Sequence, residues 1–255
     1  MLPFALSIGV LSLTQAVLVA APRPAVPTLF AGLQNRSWAL LLPLSILVVV
    51  AAIALDSAVA DFLTYLALVA VPPLAALALG GVLRGGRPPL AFLAIPLFAL
   101  AWAAKGSLSG QTAALLLSAL ACVSLGWLLV CLVPGRWLKL GIYGMAVIDA
   151  WLVGSSLLQQ PNAVLNAASP GDLPQLQFVS FGSAVMGFGD IFLAAVLGAL
   201  LAADRRLQLT GAALAATLCL GFDLLFFAVD TLPATVPIAL TLAVLELRTR
   251  RVSSG

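Results

Sequence analysis

The chain has 255 residues, of which 63% are hydrophobic and 8% are charged. Soluble domains average about 45–50% apolar and about 25% charged residues, so this composition excludes an ordinary water-soluble domain. It predicts a polytopic membrane protein with short connections. The chain contains no histidine, which excludes a Ser-His-Asp triad, a Ser-His dyad and an HExxH zinc site.

Apolar runs bounded by charge, proline and glycine predict nine transmembrane helices and an all-α fold. The spans are predicted at 2–21, 38–58, 62–83, 88–104, 111–133, 138–158, 177–202, 208–229 and 233–247. No basic residue precedes the first apolar run, which favours a retained helix over a cleaved signal peptide. Three cysteines lie within apolar runs and are too few for a disulfide framework or a four-cysteine zinc site.

The basic residues predict the orientation of these spans. Eleven of the twelve Lys and Arg residues fall on one side, namely Arg23, Arg36, Arg84, Arg87, Arg136, Lys139, Arg205, Arg206, Arg248, Arg250 and Arg251. Since cytoplasmic loops carry the excess of positive charge, we expect an outside N-terminus and a cytoplasmic C-terminus. The composition, rich in Ala, Leu and Arg, favours a prokaryotic plasma membrane. No basic cluster is interleaved with aromatic residues, so we expect no nucleic-acid partner.

The acidic residues divide into two groups. Six of the nine lie in loops or near helix ends, namely Asp56, Asp61, Asp172, Asp204, Asp230 and Glu246. The other three, Asp149, Asp190 and Asp223, lie within predicted spans. A carboxylate at the bilayer centre costs about 2.5–3.5 kcal/mol on insertion scales, so a functional role is expected. For Asp223 a buried polar contact is an equally ordinary explanation.

Asp149 and Asp190 are predicted to lie at the same depth. Each is about ten residues or slightly more from the outer end of its span, which places both about 15–20 Å below the outer surface. Two carboxyls at close range share one proton, because they cannot both ionise. One can then polarise a water while the other protonates the scissile carbonyl oxygen. This hydrolytic apparatus needs no histidine, metal or cofactor.

Two short motifs accompany these acids. Asp190 ends the sequence Gly-Phe-Gly-Asp at 187–190, predicted here in the middle of a helix. Its glycines let a neighbour approach closely and loosen the helix, although small-residue packing is also common in membranes. The ninth span opens with Pro-Ala-Thr at 233–235 and has a further proline at 237. This predicts an extended or broken helix start.

The order of these features resembles the presenilin and signal peptide peptidase family of GxGD intramembrane aspartyl proteases. That family has Tyr-Asp in its sixth helix, Gly-x-Gly-Asp in its seventh and Pro-Ala-Leu at the start of its ninth. The resemblance implies a presenilin-like fold and hydrolysis of transmembrane segments of substrate proteins, with Asp149 and Asp190 as the catalytic pair. It also implies that the proline-alanine segment helps to shape the active site and binds unwound substrate as an added strand. The substrate-binding candidates are then Gly187, Phe188, Gly189, Pro233, Ala234 and Thr235.

Two residues depart from the family pattern. Ile148 stands where the family has Tyr, and Thr235 stands where it has Leu. Tyr143 is six residues from Asp149, about 600° around a helix, and therefore faces elsewhere. The predicted orientation matches the signal peptide peptidase branch, which leads to the hypothesis that substrates are type II segments or leftover signal peptides.

Two alternatives remain open. A prepilin-type aspartyl peptidase also uses two aspartates, one within a GxGD, and residues 186–201 resemble that family's segment too. Against it, Asp149 is predicted in mid-span and the four-cysteine zinc motif of some such enzymes is missing. A proton-coupled transporter combines intramembrane acids with broken helices, and Asp223 would join its proton relay.

We interpret the chain as one membrane domain in three parts. Residues 1–135 form the N-terminal scaffold of spans 1–5, whose few polar residues indicate no site. Residues 136–247 form the catalytic region of spans 6–9, and 248–255 form a short basic tail. The expected partners are transmembrane protein or peptide substrates and the lipid bilayer. The sequence does not indicate an oligomeric state.

Overall fold

The structure of the chain, a computed structural model, describes residues 3–26, 30, 32–168, 173–229 and 231–253. The described residues form ten α-helices and one β-hairpin. Their bounds are α1 (Phe4–Ala20), α2 (Leu41–Leu55), α3 (Ala58–Leu77), α4 (Ala94–Ala103), α5 (Leu108–Leu132), α6 (Gly135–Gly154), α7 (Gln159–Ala167), β1 (Phe178–Phe181), β2 (Ala184–Gly187), α8 (Phe188–Leu201), α9 (Arg205–Asp223) and α10 (Val236–Ser253). Short 3₁₀ or π segments extend four of the helices, at Arg36–Leu40, Ala78–Val82, Pro88–Leu93 and Leu224–Phe227.

The helices are compatible with a membrane protein. Five described segments are long and apolar enough to cross a bilayer, namely Arg36–Leu55, Ala58–Val82, Leu108–Leu132, Gly135–Gly154 and Arg205–Phe227. Three shorter apolar helices cover Phe4–Ala20, Pro88–Ala103 and Phe188–Leu201. Each of the nine predicted spans overlaps a helix, and the largely helical fold is confirmed. Nine membrane crossings are not confirmed.

Helix α5 lies at the centre of the packing. Of the 18 most apolar consecutive residues of Leu108–Leu132, 67% are buried inside the protein. The corresponding share is 17% in Arg36–Leu55 and 22% in Ala58–Val82. α5 packs against α8, α3 and α4, while α1 packs against α9 and α8. The outward apolar side chains of α2 and α3, such as Val48, Phe62 and Val69, are exposed and suit contact with lipid tails.

Two glycines allow α8 to approach its neighbours at backbone distance. A Cβ atom on Gly126 of α5 would lie 2.8 Å from the carbonyl carbon of Ala195 in α8. A Cβ atom on Gly198 of α8 would lie 2.5 Å from the carbonyl oxygen of Leu18 in α1. Such small-residue contacts let apolar helices pack closely where lipid offers no hydrophobic drive. They hold α8, which carries Asp190, between α5 and α1.

Two arginines join the ends of α1, α8 and α9 on the side predicted to be cytoplasmic. Arg84 donates to the carbonyl oxygen of Ala202 (2.7 Å) and Arg205 to that of Ala20 (2.7 Å), and both donate to Gln208 Oε1. These bonds satisfy carbonyls that the helix C-termini leave open. Burial and the positive charge of Arg205 lower the pKa of the Arg84 guanidinium.

The prediction of one continuous helix over 177–202 is wrong in its first part. Residues 178–187 form an antiparallel hairpin in which Phe178 pairs with Gly187 and Phe181 with Ala184. Its turn contains Gly182 at φ +60°, a conformation that glycine adopts without strain. The Gly182 N–H donates to Oε1 of Gln111 in α5 (2.8 Å), which ties the turn to the core. The fold is therefore mainly α with one hairpin. The helix prediction failed here because a short apolar run rich in Phe and Val fits a strand as well as a helix.

The connection between the sixth and seventh predicted spans also contains a helix. α6 ends at Gly154, and α7 follows at Gln159–Ala167 with Pro161 inside it. Four residues of this connection, 169–172, lie outside the described residues, and so does Asp230. α6 and α8 are in contact, so the helices that carry the two predicted catalytic acids are neighbours.

Candidate active site

A cavity of about 550 Å³ lies beside the N-terminus of α8. Residues of nearly every helix and of β2 line it. The helices are α1, α2, α3, α5, α6, α7, α8, α9 and α10, and the segment before α10 also contributes. Its lining is mainly apolar, but Asp149, Asp190 and Asp223 all contribute to it. Among the described residues that line it there is no Lys or Arg. The cavity therefore combines an apolar wall with three carboxyls.

Asp149 lies in the second half of α6 and is 4% exposed. Its Oδ2 accepts a hydrogen bond of 2.6 Å from Oγ1 of Thr235, which is fully buried directly before α10. Bonds of this type are short and strong when the acceptor is ionised. The start of α10 therefore holds the carboxyl of α6 in place.

Asp190 is the third residue of α8, and it is partly exposed to the cavity. Its Oδ2 accepts a hydrogen bond of 3.1 Å from the N–H of Gly187, the extended residue just before the helix. The prediction that the Gly-Phe-Gly-Asp motif lies in mid-helix is thus wrong, because the motif begins the helix. Backbone N–H groups at a helix N-terminus favour negative charge, so this position suits a carboxylate.

The two acids face the same space. The charge of Asp149 acts on Asp190, and both line the cavity. Met145, one turn before Asp149 in α6, packs against Gly189, where an added Cβ would lie 3.0 Å from Met145 Cε. The absence of a side chain at 189 therefore lets α6 approach the start of α8. The structure brings the predicted pair together, and its catalytic role stays a prediction.

Gln15 of α1 is a site residue that the sequence analysis missed. It is 1% exposed, and its Nε2 donates to the carbonyl oxygens of Asp190 (3.1 Å) and Ala234 (3.3 Å). One buried amide thus links the two motifs. Residues 1–135, interpreted as a scaffold without a site, therefore contribute at least this one residue to the site. The available signal was a lone amide within an apolar span, since burying an unpaired amide is costly.

The six predicted substrate-binding residues occupy different places. Gly187, Phe188, Gly189 and Ala234 line the cavity, whereas Thr235 is buried against Asp149. Pro233 is not among the described lining residues. α10 begins at Val236, after the Pro-Ala-Thr segment, in agreement with the predicted broken start.

Asp223 lies at the C-terminal end of α9 and lines the cavity with the other two acids. The hydroxyl of Ser12 in α1 lies beside its carboxyl. Its Oδ2 is buried and has no hydrogen-bond partner among the described residues. In the predicted layout only Asp149 and Asp190 were placed at matching depth, but in the structure all three acids line one cavity.

Tyr143 belongs to a separate contact between α6 and α10. Its hydroxyl donates to Oε2 of Glu246 (3.1 Å), and Oε1 of Glu246 forms an ion pair with Lys139 (2.9 Å). Tyr143 does not line the cavity within the described part of the chain. This agrees with the expectation that Tyr143 faces away from Asp149. Ile148 has no side-chain polar group with which to replace the tyrosine of the family pattern.

Within the described ranges no group of three or more His, Cys, Asp or Glu side chains is arranged to hold a metal ion. Comparison of the chain with protein-family models, with curated proteins and with solved structures gives no significant match. The likeness to GxGD proteases therefore remains a resemblance carried by the motifs at 149, 187–190 and 233–235.

Proposed function

We propose that the chain is an intramembrane aspartyl protease that hydrolyses peptide bonds within transmembrane segments. The observation that supports this best is the placement of Asp149 and Asp190 on one cavity at electrostatic range. Each carboxyl has one oxygen held by a hydrogen bond, from Thr235 or from Gly187. Carboxyl groups that hydrogen bonds fix in position can act on a substrate without first reorganising.

In the proposed reaction the pair carries one proton. The ionised carboxyl takes a proton from a water whose oxygen attacks the scissile carbonyl carbon, while the protonated carboxyl gives its proton to the carbonyl oxygen. The resulting gem-diol collapses as the carbon–nitrogen bond breaks, and a proton passes to the leaving nitrogen. The products are a carboxylic acid and an amine, so one water is consumed. This chemistry uses groups that the chain itself supplies.

The cavity offers a place for an unwound substrate segment. Its wall includes apolar side chains of α2 and α3, such as Val49 and Leu66, which suit the side chains of a membrane segment. Val185 of β2 is 52% exposed and lines the cavity just before Asp190. We propose that an extended substrate adds to this hairpin as a further strand, since strand addition satisfies the backbone groups that unwinding exposes.

We propose the same orientation as the basic residues predict, with the N-terminus outside and the C-terminus in the cytoplasm. In this orientation the substrates are type II segments or leftover signal peptides. A proton-coupled transporter is the second candidate, because Asp223 is a third acid on the same cavity. Intramembrane acids that line one cavity are typical of proton relays.

The test uses purified protein in liposomes with type I, type II and prepilin-type reporter peptides, and detects the products by mass spectrometry. We expect Asp149→Asn and Asp190→Asn to lower cleavage at least about a thousandfold each, with thermal stability retained. Asp61→Asn removes an exposed carboxyl outside the cavity and is the matched control.

Three results would contradict parts of this proposal. Cleavage of type I but not type II reporters would contradict the substrate orientation. Cleavage of prepilin-type reporters alone would favour the other aspartyl peptidase class. Proton-coupled uptake by a wild-type protein that cuts no reporter would favour the transporter.

A further inference from the structure

Asp223 is a carboxyl of the cavity that the proposed reaction does not use. It ends α9, and its Oδ2 is buried without a hydrogen-bond partner among the described residues. The side chain lines the cavity that holds Asp149 and Asp190. An ionised carboxyl in apolar surroundings is costly unless a positive charge or several hydrogen bonds compensate it. This position therefore needs a complementary group.

The described part of the chain supplies no cation there. The lining residues of the cavity include no Lys or Arg among those described. Two polar groups lie next to Asp223 among the described residues: the hydroxyl of Ser12 and, one turn earlier in α9, the thiol of Cys219. A hydroxyl and a thiol neutralise no charge. A positive charge that pairs with ionised Asp223 would therefore come from the molecule that occupies the cavity.

We propose that Asp223 determines specificity by binding a basic side chain, Lys or Arg, of the substrate segment. The inference rests on the proposed protease function and deepens it by naming a feature of the substrate. A basic side chain would pair with Asp223 in surroundings of low dielectric, where opposite charges attract strongly. A substrate with a neutral side chain at that place leaves the carboxyl unpaired, and a substrate with an acidic one is repelled.

The contacts of α1 indicate where the basic residue falls. Gln15 donates hydrogen bonds to the backbone carbonyls of Asp190 and Ala234, and Ser12 lies beside Asp223. Three residues of helix rise about 4.5 Å, so Asp223 lies about one turn from the level of Asp190, towards the N-terminus of α1. An extended substrate advances about 3.3 Å per residue. The basic side chain is therefore expected within about three residues of the cleaved bond, on the side nearer the α1 N-terminus.

The test measures peptide binding, which does not depend on cleavage. Apolar transmembrane peptides carry Lys, Gln or Glu at one position, moved residue by residue along the segment, and bind to purified Asp190→Asn protein. We expect the best Lys peptide to bind at least about tenfold tighter than its Gln counterpart. In the double variant Asp190→Asn with Asp223→Asn, the affinities for the Lys and Gln peptides should differ by no more than about twofold. Asp223→Lys should reverse the preference, so that the Glu peptide binds best.

Two further variants keep the test interpretable. Asp223→Glu retains the carboxyl and should retain the preference for Lys, which separates loss of charge from loss of fold. Asp61→Asn removes an exposed carboxyl and should also retain it. If the ratio of the affinities for the Lys and Gln peptides is the same with and without Asp223→Asn, the assignment of Asp223 is overturned.

Cleavage of the same peptides by the wild-type protein separates the two proposals. A Lys preference that Asp223→Asn removes, together with no cleavage by the wild-type protein, keeps the binding site and overturns the protease. Cleavage without a Lys preference overturns the role of Asp223 and leaves the protease standing.

Discussion

The hydroxyl of Thr235 donates a hydrogen bond of 2.6 Å to Oδ2 of Asp149, so the segment before α10 positions the carboxyl of α6. The family that the chain resembles has Leu at this place, which has no hydroxyl. The departure at 235 thus adds a polar contact to a buried acid rather than removing one. This contact makes Thr235 a positioning residue in the proposed reaction.

Thr235→Val tests that role, because it keeps the branched shape and removes the hydroxyl. Loss of a hydrogen bond to a charged group costs about 1.5–3 kcal/mol, so we expect cleavage to fall about tenfold to a hundredfold. Thr235→Ser retains the donor and should recover most of the rate. A merely structural role would lower thermal stability without changing kcat, and equal kcat values for Val and Ser would contradict the account.

Gln15→Leu tests the link between the two motifs. The substitution removes the amide that binds the carbonyl oxygens of Asp190 and Ala234. We expect at least about a tenfold loss of kcat because the carbonyls lose their donor and the acids lose their relative position. Thr14→Val is the matched control, since its hydroxyl binds the Val10 carbonyl within α1. Equal effects of the two substitutions would contradict a role of Gln15 in the site.

Gly126→Ala and Gly198→Ala test the packing that holds α8. Each added Cβ would meet the backbone of a neighbouring helix, at 2.8 and 2.5 Å, so the helices must separate. Overpacking of this kind costs about 1–3 kcal/mol, and we expect a lower melting temperature in detergent. Gly221→Ala is the control, because a Cβ there meets nothing within 4 Å. Equal melting temperatures for all three variants would contradict the close packing of α8.

Cysteine cross-linking tests whether the two acids meet. Asp149→Cys and Asp190→Cys are combined in a chain that lacks Cys122, Cys131 and Cys219. Because both side chains line one cavity and interact electrostatically, we expect a short bifunctional thiol reagent to link them. The pair Asp61→Cys with Asp190→Cys should give no such product. Failure of the first pair to cross-link would mean that the acids do not face each other.

The sequence predicted the helices better than it predicted the environment of the acids. Long apolar runs identify α5 and α6 because their length and composition leave no other structure. The hairpin at 178–187 was missed, since a short apolar run of Phe and Val is also compatible with a helix start. Its stability depends on contacts with α5 and α1, such as the bond from Gly182 to Gln111. Such contacts link positions far apart in the sequence.

The residues of the candidate site were also predicted only in part. Asp149 and Asp190 were predicted from the cost of charge in a membrane and from the GxGD motif. Gln15 was missed because its partners are backbone carbonyls, which leave no signature in the sequence. The shared cavity of Asp223 depends on the packing of α1 against α9, which apolar patterning alone does not specify.

Hydrolysis of a transmembrane segment by Asp149 and Asp190 can be followed with purified protein and a synthetic segment in oxygen-18-labelled water. We expect the wild-type protein to cut the segment and the new carboxyl group to carry the label. We expect no labelled product from the Asp149→Asn or Asp190→Asn protein, although each variant keeps the melting temperature of the wild type. Labelled product at the wild-type rate from either variant would contradict the account.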